Sequence, residues 1–239
     1  MLRAGAAKKK INPPLDVPHA GWGAQTHVFA DGLESDFHAS ALVLSDGRNL
    51  AAVIDVDACS FTPGTTAEIR EAAARALGTD AANVRVSVTH THAGPMLWAN
   101  YYAEGHEAIA AYLDFVKEQA AAAVREACGR MVRASFGAGF GTCAVGVNRR
   151  QKLADGRMVV GVNPDGPADH AVGVLRLRDE SGGTLATVVQ YGCHPTTLGF
   201  ENRLHSPDYP GAAKRFVERN LGGVCLFLQG CAGHVGPGP

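Results

Sequence analysis

The sequence has little that would suit a membrane or a nucleic acid. Its 22 basic and 23 acidic residues leave a formal net charge of −1, so no basic excess is present to attract phosphate groups. No apolar stretch approaches the ~20 residues that a membrane-spanning helix needs. We therefore expect neither a transmembrane segment nor a nucleic-acid partner.

Signals for export and for disulfide bonds are also absent. The segment from Met1 to Lys10 lacks the apolar centre of a secretory leader, which makes a cytoplasmic location the default expectation. The six cysteines contain no C-x-x-C pair, and most of them lie inside apolar runs. Buried free thiols are therefore expected rather than a disulfide framework. These cysteines stand at positions 59, 128, 143, 193, 225 and 231.

The chain does contain enough apolar residues for one sizeable core. With 239 residues, of which 46% are hydrophobic, a single domain over residues 1–239 is the simplest interpretation. Apolar runs bounded by turn residues predict strands, and apolar stripes at helical spacing predict helices. Strands outnumber helices and some are joined by hairpins, so we predict a mixed α/β (α+β) fold with helices outside the sheets.

The predicted strands cover residues 39–44, 49–56, 84–89, 132–136, 158–162, 171–177, 184–191 and 224–228. Asp46-Gly47 is typical of a hairpin turn between the first two. Thr65 with Glu68 forms a capping-box pattern at the start of a helix that ends before Gly78. Two further helices are predicted over 106–128 and 208–221, the last capped by Asp208.

Two histidines stand at the end of the apolar strand that precedes Gly94-Pro95. Alternate residues of a strand point to the same face, so His90 and His92 should project side by side. A histidine near a core is often only a hydrogen-bonded structural residue. The pair at a strand end instead favours a catalytic or metal-binding site.

A second apolar strand ends at His194-Pro195, and the two strand ends can converge on one metal ion. Catalytic zinc usually has three protein ligands and one open position. Two histidines do not complete such a site. A third ligand would come from Asp208, His205 or His234, or from residues beyond this chain.

Other polar residues have weaker signals. Arg149 and Arg150 could clamp an oxyanion or a carboxylate, or could be solvated loop charges. Asp55 and Asp57 share a strand face and could bind a cation, although a cap for residues 62–66 is the preferred interpretation. Cys193 precedes His194, but neighbours on a strand face opposite ways, so a Cys-His nucleophilic pair is not expected.

A series of short motifs runs along the chain in a characteristic order. The motifs are Ala4–Pro14, Val86–Pro95, Asn148-Arg149, Tyr191–Thr197, Ser206–Ala212 and Gln229–Pro237. In this order they resemble the neutral (non-lysosomal) ceramidase family, whose T-H-T-H-S-G-P element is similar to Thr89–Pro95. The resemblance covers essentially the whole chain, as the N-terminal part of the family's catalytic domain, and it is nearer to short bacterial relatives.

This resemblance implies a four-layer helix–sheet–sheet–helix sandwich and zinc as the cofactor. The implied reaction is hydrolysis of an N-acyl amide, which in a ceramidase converts ceramide to sphingosine and a fatty acid. His90 and His194 would then bind zinc. His92 would contact the substrate and reaction intermediates, and Arg149 would bind the polar head of a small-molecule or lipid amide substrate. His92 and Arg149 together would stabilise the oxyanion.

The chain also departs from the family pattern near its C-terminus. The family carries Asp and then Ser or Asn at a corner where this chain has His234 and Gly236, and Gly236 has no hydroxyl to act as a nucleophile. The remaining zinc ligands of the family, a Glu and a Tyr, lie beyond that corner. We therefore expect a sandwich that is incomplete at the C-terminus and that needs a missing segment or an oligomer.

Two alternatives to the zinc-dependent amide hydrolase stay open. One is a non-catalytic or fragmentary metal-binding domain, which measured metal content and turnover would separate from an enzyme. The other is a metallo-esterase that acts on small polar substrates, which a panel of esters and amides would identify. The identity of the substrate does not follow from the sequence.

Overall fold

The computed structural model describes residues 1–19 and 21–238. Within them the chain forms helices α1 (Pro63–Leu77), α2 (His106–Gly129) and α3 (Asp208–Leu221), and a 3-10 turn at Ala81–Asn83. The strands of the described part are β1 (Arg3–Lys10), β2 (Gly32–Leu33), β3 (His38–Ser45), β4 (Leu50–Val56), β5 (Val84–Val88), β6 (Val132–Thr142), β7 (Gly146–Asn148), β8 (Arg150–Lys152), β9 (Met158–Val160), β10 (Ala171–Asp179), β11 (Thr184–Tyr191), β12 (Leu204–His205), β13 (Val224–Gln229) and β14 (Val235–Pro237).

One mixed sheet of eight strands dominates the fold, in the order β13-β11-β10-β6-β1-β3-β4-β5. Strand β6 pairs with β10 from Ala134 to Thr142 but with β1 only at Val132 and Arg133. The sheet therefore divides at β6 into two halves. The halves pack face to face over a core that contains Leu42 of β3, Leu177 of β10 and Leu226 of β13.

Helices cover both outer faces of this folded sheet. Helices α1 and α2 pack on the half that contains β3 and β4, where Ile54, Ile69 and Val116 are buried together. Helix α3 packs on β13, with the rings of Tyr209 and Phe227 5.6 Å apart. The layers are helix, sheet, sheet and helix, which confirms the predicted mixed α/β sandwich.

Strand β1 is central to the sheet but has no clear sequence signal. It pairs antiparallel with β3 from Arg3 opposite Ser45 to Lys10 opposite His38. A Cβ atom at Gly5 would overlap the carbonyl oxygen of Ala127 in α2. Glycine at this position lets helix α2 pack closely over the strand.

Helix α1 begins earlier than the capping-box pattern indicates. Thr62 is the N-cap, because its Oγ1 accepts a hydrogen bond from the N–H of Thr65 at 3.1 Å, and Pro63 follows as the first helical residue. The Thr65–Glu68 box is therefore wrong by one turn. Proline at this first position needs no N–H partner and is already set for the helical backbone. Gly78 ends the helix in the left-handed conformation, with φ 72°.

Asp55 and Asp57 do not cap α1, and the preferred interpretation of this pair is wrong. Both carboxylates contact Lys214 of α3, with Nζ 3.0 Å from Asp55 Oδ2 and 2.6 Å from Asp57 Oδ1. All three side chains are buried. The two aspartates do share one face, as strand spacing predicts, and this buried triad joins α3 to the end of β4.

The other element boundaries agree closely with the sequence pattern. Residues 45–50 form the predicted hairpin turn between β3 and β4, which pair antiparallel. Strand β6 continues to Thr142 rather than ending at Phe136, and β9 ends at Val160 rather than Val162. All six cysteines are free. Within the described residues, no helix is long and apolar enough to cross a bilayer.

Candidate metal centre

The folded sheet brings the two predicted histidine segments together. His90 and His92 follow the end of β5, and His194 follows the end of β11. The N–H of His92 donates to the carbonyl of Pro195 at 3.1 Å, and the N–H of His194 donates to the carbonyl of Val235 at 2.9 Å. These backbone bonds hold the segment after β5 against the segments after β11 and β13.

The three imidazole rings meet through their Nε2 atoms. The Nε2 atom of His90 lies 3.1 Å from Nε2 of His194 and 3.4 Å from Nε2 of His92. Nitrogens bound to one tetrahedral zinc ion at ~2.1 Å stand about 3.4 Å apart. The spacing in this cluster therefore suits a single ion between the rings.

Backbone carbonyl groups orient all three rings in the same way. The Nδ1 atom lies 2.8 Å from the carbonyl oxygen of Cys59 for His90 and 3.0 Å from that of Ala232 for His194. For His92 the carbonyl of Gly21 is 3.2 Å away. A carbonyl can only accept a hydrogen bond, so each Nδ1 carries the proton in the neutral ring.

The tautomers leave three lone pairs pointing at one another. Each Nε2 atom of His90, His92 and His194 is then an acceptor without a hydrogen, and acceptors at 3.1–3.4 Å repel each other. A cation between them removes this repulsion, and anchored Nδ1 protons are typical of metal-binding histidines. The donor set thus fits a metal ion that prefers imidazole ligands.

Burial keeps the rings of His92 and His194 neutral near pH 7. It lowers the pKa of His92 and of His194 to about 4, and the positive charge of Arg149 adds to the effect in both cases. Neutral imidazole is the form that binds metals. Consequently these two rings do not have to lose a proton before they bind a cation at neutral pH.

Cys59 is close to the same cluster but is a poorer ligand. Its thiol, one nitrogen of His90 and one of His92 all lie within 4.8 Å of one another. The thiol faces Nδ1 of His90 at 3.9 Å, the nitrogen that is already hydrogen-bonded to a carbonyl. Burial also raises the pKa of the Cys59 thiol to about 12. Since only the thiolate binds metals well, the three Nε2 atoms form the better set.

The backbone at His90 is strained. Its φ angle is 66°, in the left-handed region that non-glycine residues rarely adopt. Such a conformation costs about 1–3 kcal/mol and persists only where the surrounding structure enforces it. The bond from its N–H to Ala58 and the ring contact to Cys59 provide that enforcement. The direction of the His90 ring is thus set by several contacts at once.

Arg149 lies beside the histidines. Its Nε and Nη2 atoms donate to the carbonyl of Gly233 at 3.3 and 3.1 Å, and its N–H donates to the carbonyl of His234 at 2.8 Å. A Cβ atom at Gly236 would stand 3.4 Å from the Arg149 side chain. This is an ordinary van der Waals distance, so the position of Arg149 does not itself require glycine at 236.

Two of the other candidate ligands, His205 and Asp208, contact groups other than the three rings. His205 is fully buried next to His19, with ring centres 4.9 Å apart. Asp208 accepts a hydrogen bond from Thr197 at 2.6 Å and sits at the start of α3. Cys193 donates its thiol to the carbonyl of His194 at 3.8 Å, and burial raises its pKa to about 11, as expected for an inert thiol.

Sequence reasoning missed the groups that orient the rings. They are backbone carbonyls of Gly21, Cys59 and Ala232, and a carbonyl acceptor has no residue signature. The only partial signal is the glycine-rich corner near Ala232, where a backbone can approach other groups closely.

The solved structures that this chain resembles include two ceramidase structures. Neutral ceramidase from Pseudomonas aeruginosa matches with a TM-score of 0.76 and 21% sequence identity, over 99% of this chain and 39% of that chain. A ceramidase complexed with C2 matches with a TM-score of 0.74 and 22% identity, over 99% and 38%. The chain thus spans about two fifths of these proteins, and at such identity the likeness shows a shared fold. A search of curated proteins finds no match.

The sequence also matches a family described as neutral/alkaline non-lysosomal ceramidase, N-terminal. The match runs over residues 3–229, and so includes β1, the segment with His90 and His92, and the segment with His194. It covers nearly the whole chain, and this protein therefore belongs to the neutral/alkaline non-lysosomal ceramidase family.

Proposed function

We propose that this chain carries the metal-binding half of a zinc-dependent hydrolase that cleaves N-acyl amides, in the manner of a ceramidase. The observation that carries the proposal is the convergence of three Nε2 lone pairs from His90, His92 and His194. Zinc is the ion proposed because it prefers imidazole nitrogen and tetrahedral geometry. Membership of the family supports amide hydrolysis as the reaction.

In this proposal His90 and His194, whose Nε2 atoms are the closer pair at 3.1 Å, hold zinc, each kept in place by a carbonyl at its Nδ1 atom. The Nε2 atom of His92, 3.4 Å from that of His90, faces the reacting water beside the ion. Bound zinc would supply an acidified water or a polarised acyl carbonyl, which is the usual contribution of such ions. Further ligands come from parts of the protein outside these residues or from water. In this proposal the zinc ion of the active protein has further ligands in addition to the two histidines.

His92 is proposed as the neighbouring catalytic residue. Because its Nδ1 proton bonds to the carbonyl of Gly21, its Nε2 atom has no hydrogen to donate to an oxyanion. This tautomer suits a proton acceptor. In the reaction, water adds to the acyl carbon, the C–N bond breaks, and the water proton taken by His92 passes to the leaving amine nitrogen. Arg149 binds the polar part of the substrate.

The test begins with metal content. In the full-length protein, His90→Ala and His194→Ala are each expected to lose bound zinc, measured by elemental analysis after dialysis. His92→Ala should keep zinc and lose turnover, about 10²–10⁴-fold if it transfers a proton. His106→Ala is the matched control, since His106 is a half-exposed histidine at the start of α2.

Activity is then measured on a short-chain fluorescent ceramide and on an ester with the same acyl chain. Metal-dependent cleavage of the amide supports the proposal, and cleavage of the ester alone points to a metallo-esterase. Zinc binding without turnover of either substrate would favour the alternative of a non-catalytic metal-binding domain. Equal loss of zinc in the His90→Ala and His92→Ala variants would contradict the separate roles given to these two residues.

A further inference from the structure

Two arginine side chains converge on one backbone oxygen at the edge of the metal centre. Arg149 donates to the carbonyl of Gly233 through Nε and Nη2 at 3.3 and 3.1 Å, and Arg150 donates to the same oxygen through Nη2 at 3.0 Å. The first guanidinium is partly buried and the second is exposed. Two positive charges therefore share a single neutral acceptor.

Neither guanidinium has a carboxylate partner in the described part of the chain. Other arginines do have one: Arg157 pairs with Asp155 at 2.8 Å, and Arg203 with Asp31. A guanidinium has five N–H donors, so most donors of Arg149 and Arg150 have no protein acceptor here. Burial and the charge of Arg150 lower the pKa of Arg149, although the guanidinium of Arg149 stays protonated.

The pair lies close to the histidines. Ala232 and Gly233 are consecutive, and their carbonyls receive the ring of His194 and the two guanidiniums, respectively. Consecutive Cα atoms are only about 3.8 Å apart. An anion bound to the arginines would therefore lie close to the ring of His194. In a substrate that reacts beside this ring, the anionic group would be only a few bonds from the scissile bond.

We propose that the amide accepted by this site carries a carboxylate near the scissile bond, as in N-acyl amino acids, and that Arg149 and Arg150 bind that carboxylate. This inference rests on the proposed amide hydrolysis and names its substrate class. Arg150 becomes a specificity-determining residue. A neutral polar head would leave the partly buried guanidinium of Arg149 without an anion, whereas a carboxylate matches the planar donors of both arginines.

Binding is measured with ligands that the protein cannot cleave. Hexanesulfonyl-glycine carries a carboxylate, and hexanesulfonyl-ethanolamine replaces it with a neutral alcohol. Calorimetry on the full-length protein should give at least about 10-fold tighter binding for the glycine ligand, since hydrogen bonds to charged groups are the stronger class. Arg150→Gln should remove most of this preference, and Arg150→Lys should keep part of it.

Arg157→Gln is the matched control, because it removes the same charge from an exposed side chain nearby in sequence and should leave the preference intact. Equal affinities for the two ligands, no binding of the glycine ligand, or equal effects of Arg150→Gln and Arg157→Gln would each overturn the inference. Hydrolysis of hexanoyl-glycine is measured separately. If neither hexanoyl-glycine nor the short-chain ceramide is cleaved while the anion preference is intact, the proposed reaction is refuted and the carboxylate site stands.

Discussion

The buried triad of Lys214, Asp55 and Asp57 allows a sharp prediction about stability. Replacing Lys214 with Met keeps most of the side-chain volume but removes the ammonium group that contacts both carboxylates. Oδ2 of Asp55 would keep the hydrogen bond from the N–H of Phe227, at 3.0 Å, while its Oδ1 already has no partner in the described structure. Both aspartates are at most 1% exposed, so water cannot replace the ammonium group.

The expected loss is large. Removing one partner of a buried ion pair typically costs about 3–5 kcal/mol, because the charge left behind stays buried. This is a large part of the ~5–15 kcal/mol that holds a domain together. Since the triad joins α3 to β4, we expect the free energy of unfolding to fall without a change in the secondary structure of the folded fraction.

The loss should depend on pH. Burial raises the pKa of Asp55 to about 6, even with Lys214 present. An acid whose folded pKa lies above its unfolded pKa contributes stability that is present at low pH and is lost as pH rises through the folded value. Lys214 holds the pKa of Asp55 down, so without Lys214 more stability is lost as pH rises. Lys214→Met should therefore lose less stability at pH 5 than at pH 8.

Urea denaturation followed by circular dichroism at both pH values measures this difference. Lys117→Met is the control, because Lys117 also faces two carboxylates, Asp114 at 2.7 Å and Glu68 at 2.9 Å, but at the surface. Exposed pairs contribute only about 0–1 kcal/mol. Equal losses in the Lys214 and Lys117 variants, or a Lys214→Met loss independent of pH, would refute the reasoning.

Three further predictions concern packing and acid stability. Gly5→Ala should cost about 3 kcal/mol of unfolding free energy or prevent folding, because its Cβ would overlap Ala127; Gly139→Ala, with open space at its Cβ, should be nearly neutral in the same urea assay. Leu42→Ala should cost about 2–5 kcal/mol, since this side chain is 1% exposed between the sheet halves; a loss below 1 kcal/mol would mean that the core collapses around the gap. Burial lowers the pKa of His205 to about 3, so the unfolded chain binds its proton first and stability falls as pH drops below about 6.5. Titration of the unfolding free energy should show His205→Phe losing this acid sensitivity, by at most about 1.4 kcal/mol per pH unit; an unchanged slope would contradict the assignment.

Elements with a strong periodic pattern could be predicted from the sequence. Helix α2 ends within a residue of its expected boundary, because its apolar stripe and its length leave no competing interpretation. Strand β1 could not be predicted, since alanine, glycine and lysine favour no strand. Its conformation depends on pairing with β3 and on the close approach of α2.

The candidate site was predictable to the extent that side chains define it. The strand ends pointed to His90, His92 and His194, and the structure brings them together. Lys214 gave no such signal, because a lysine on an amphipathic helix normally faces solvent. Its burial against Asp55 and Asp57 depends on how the two sheet halves fold over each other, which no local pattern encodes.

The contact between His90 and His194 also affects the stability of the fold. The two residues are 104 positions apart, and all six cysteines are free. An ion bound to both Nε2 atoms would close a loop of that length as a reversible cross-link. A covalent bridge around ~100 residues is worth about 4.7 kcal/mol through the entropy of the unfolded chain. The removal of metal would then weaken the contact between the two sheet halves and also abolish the metal-dependent reaction.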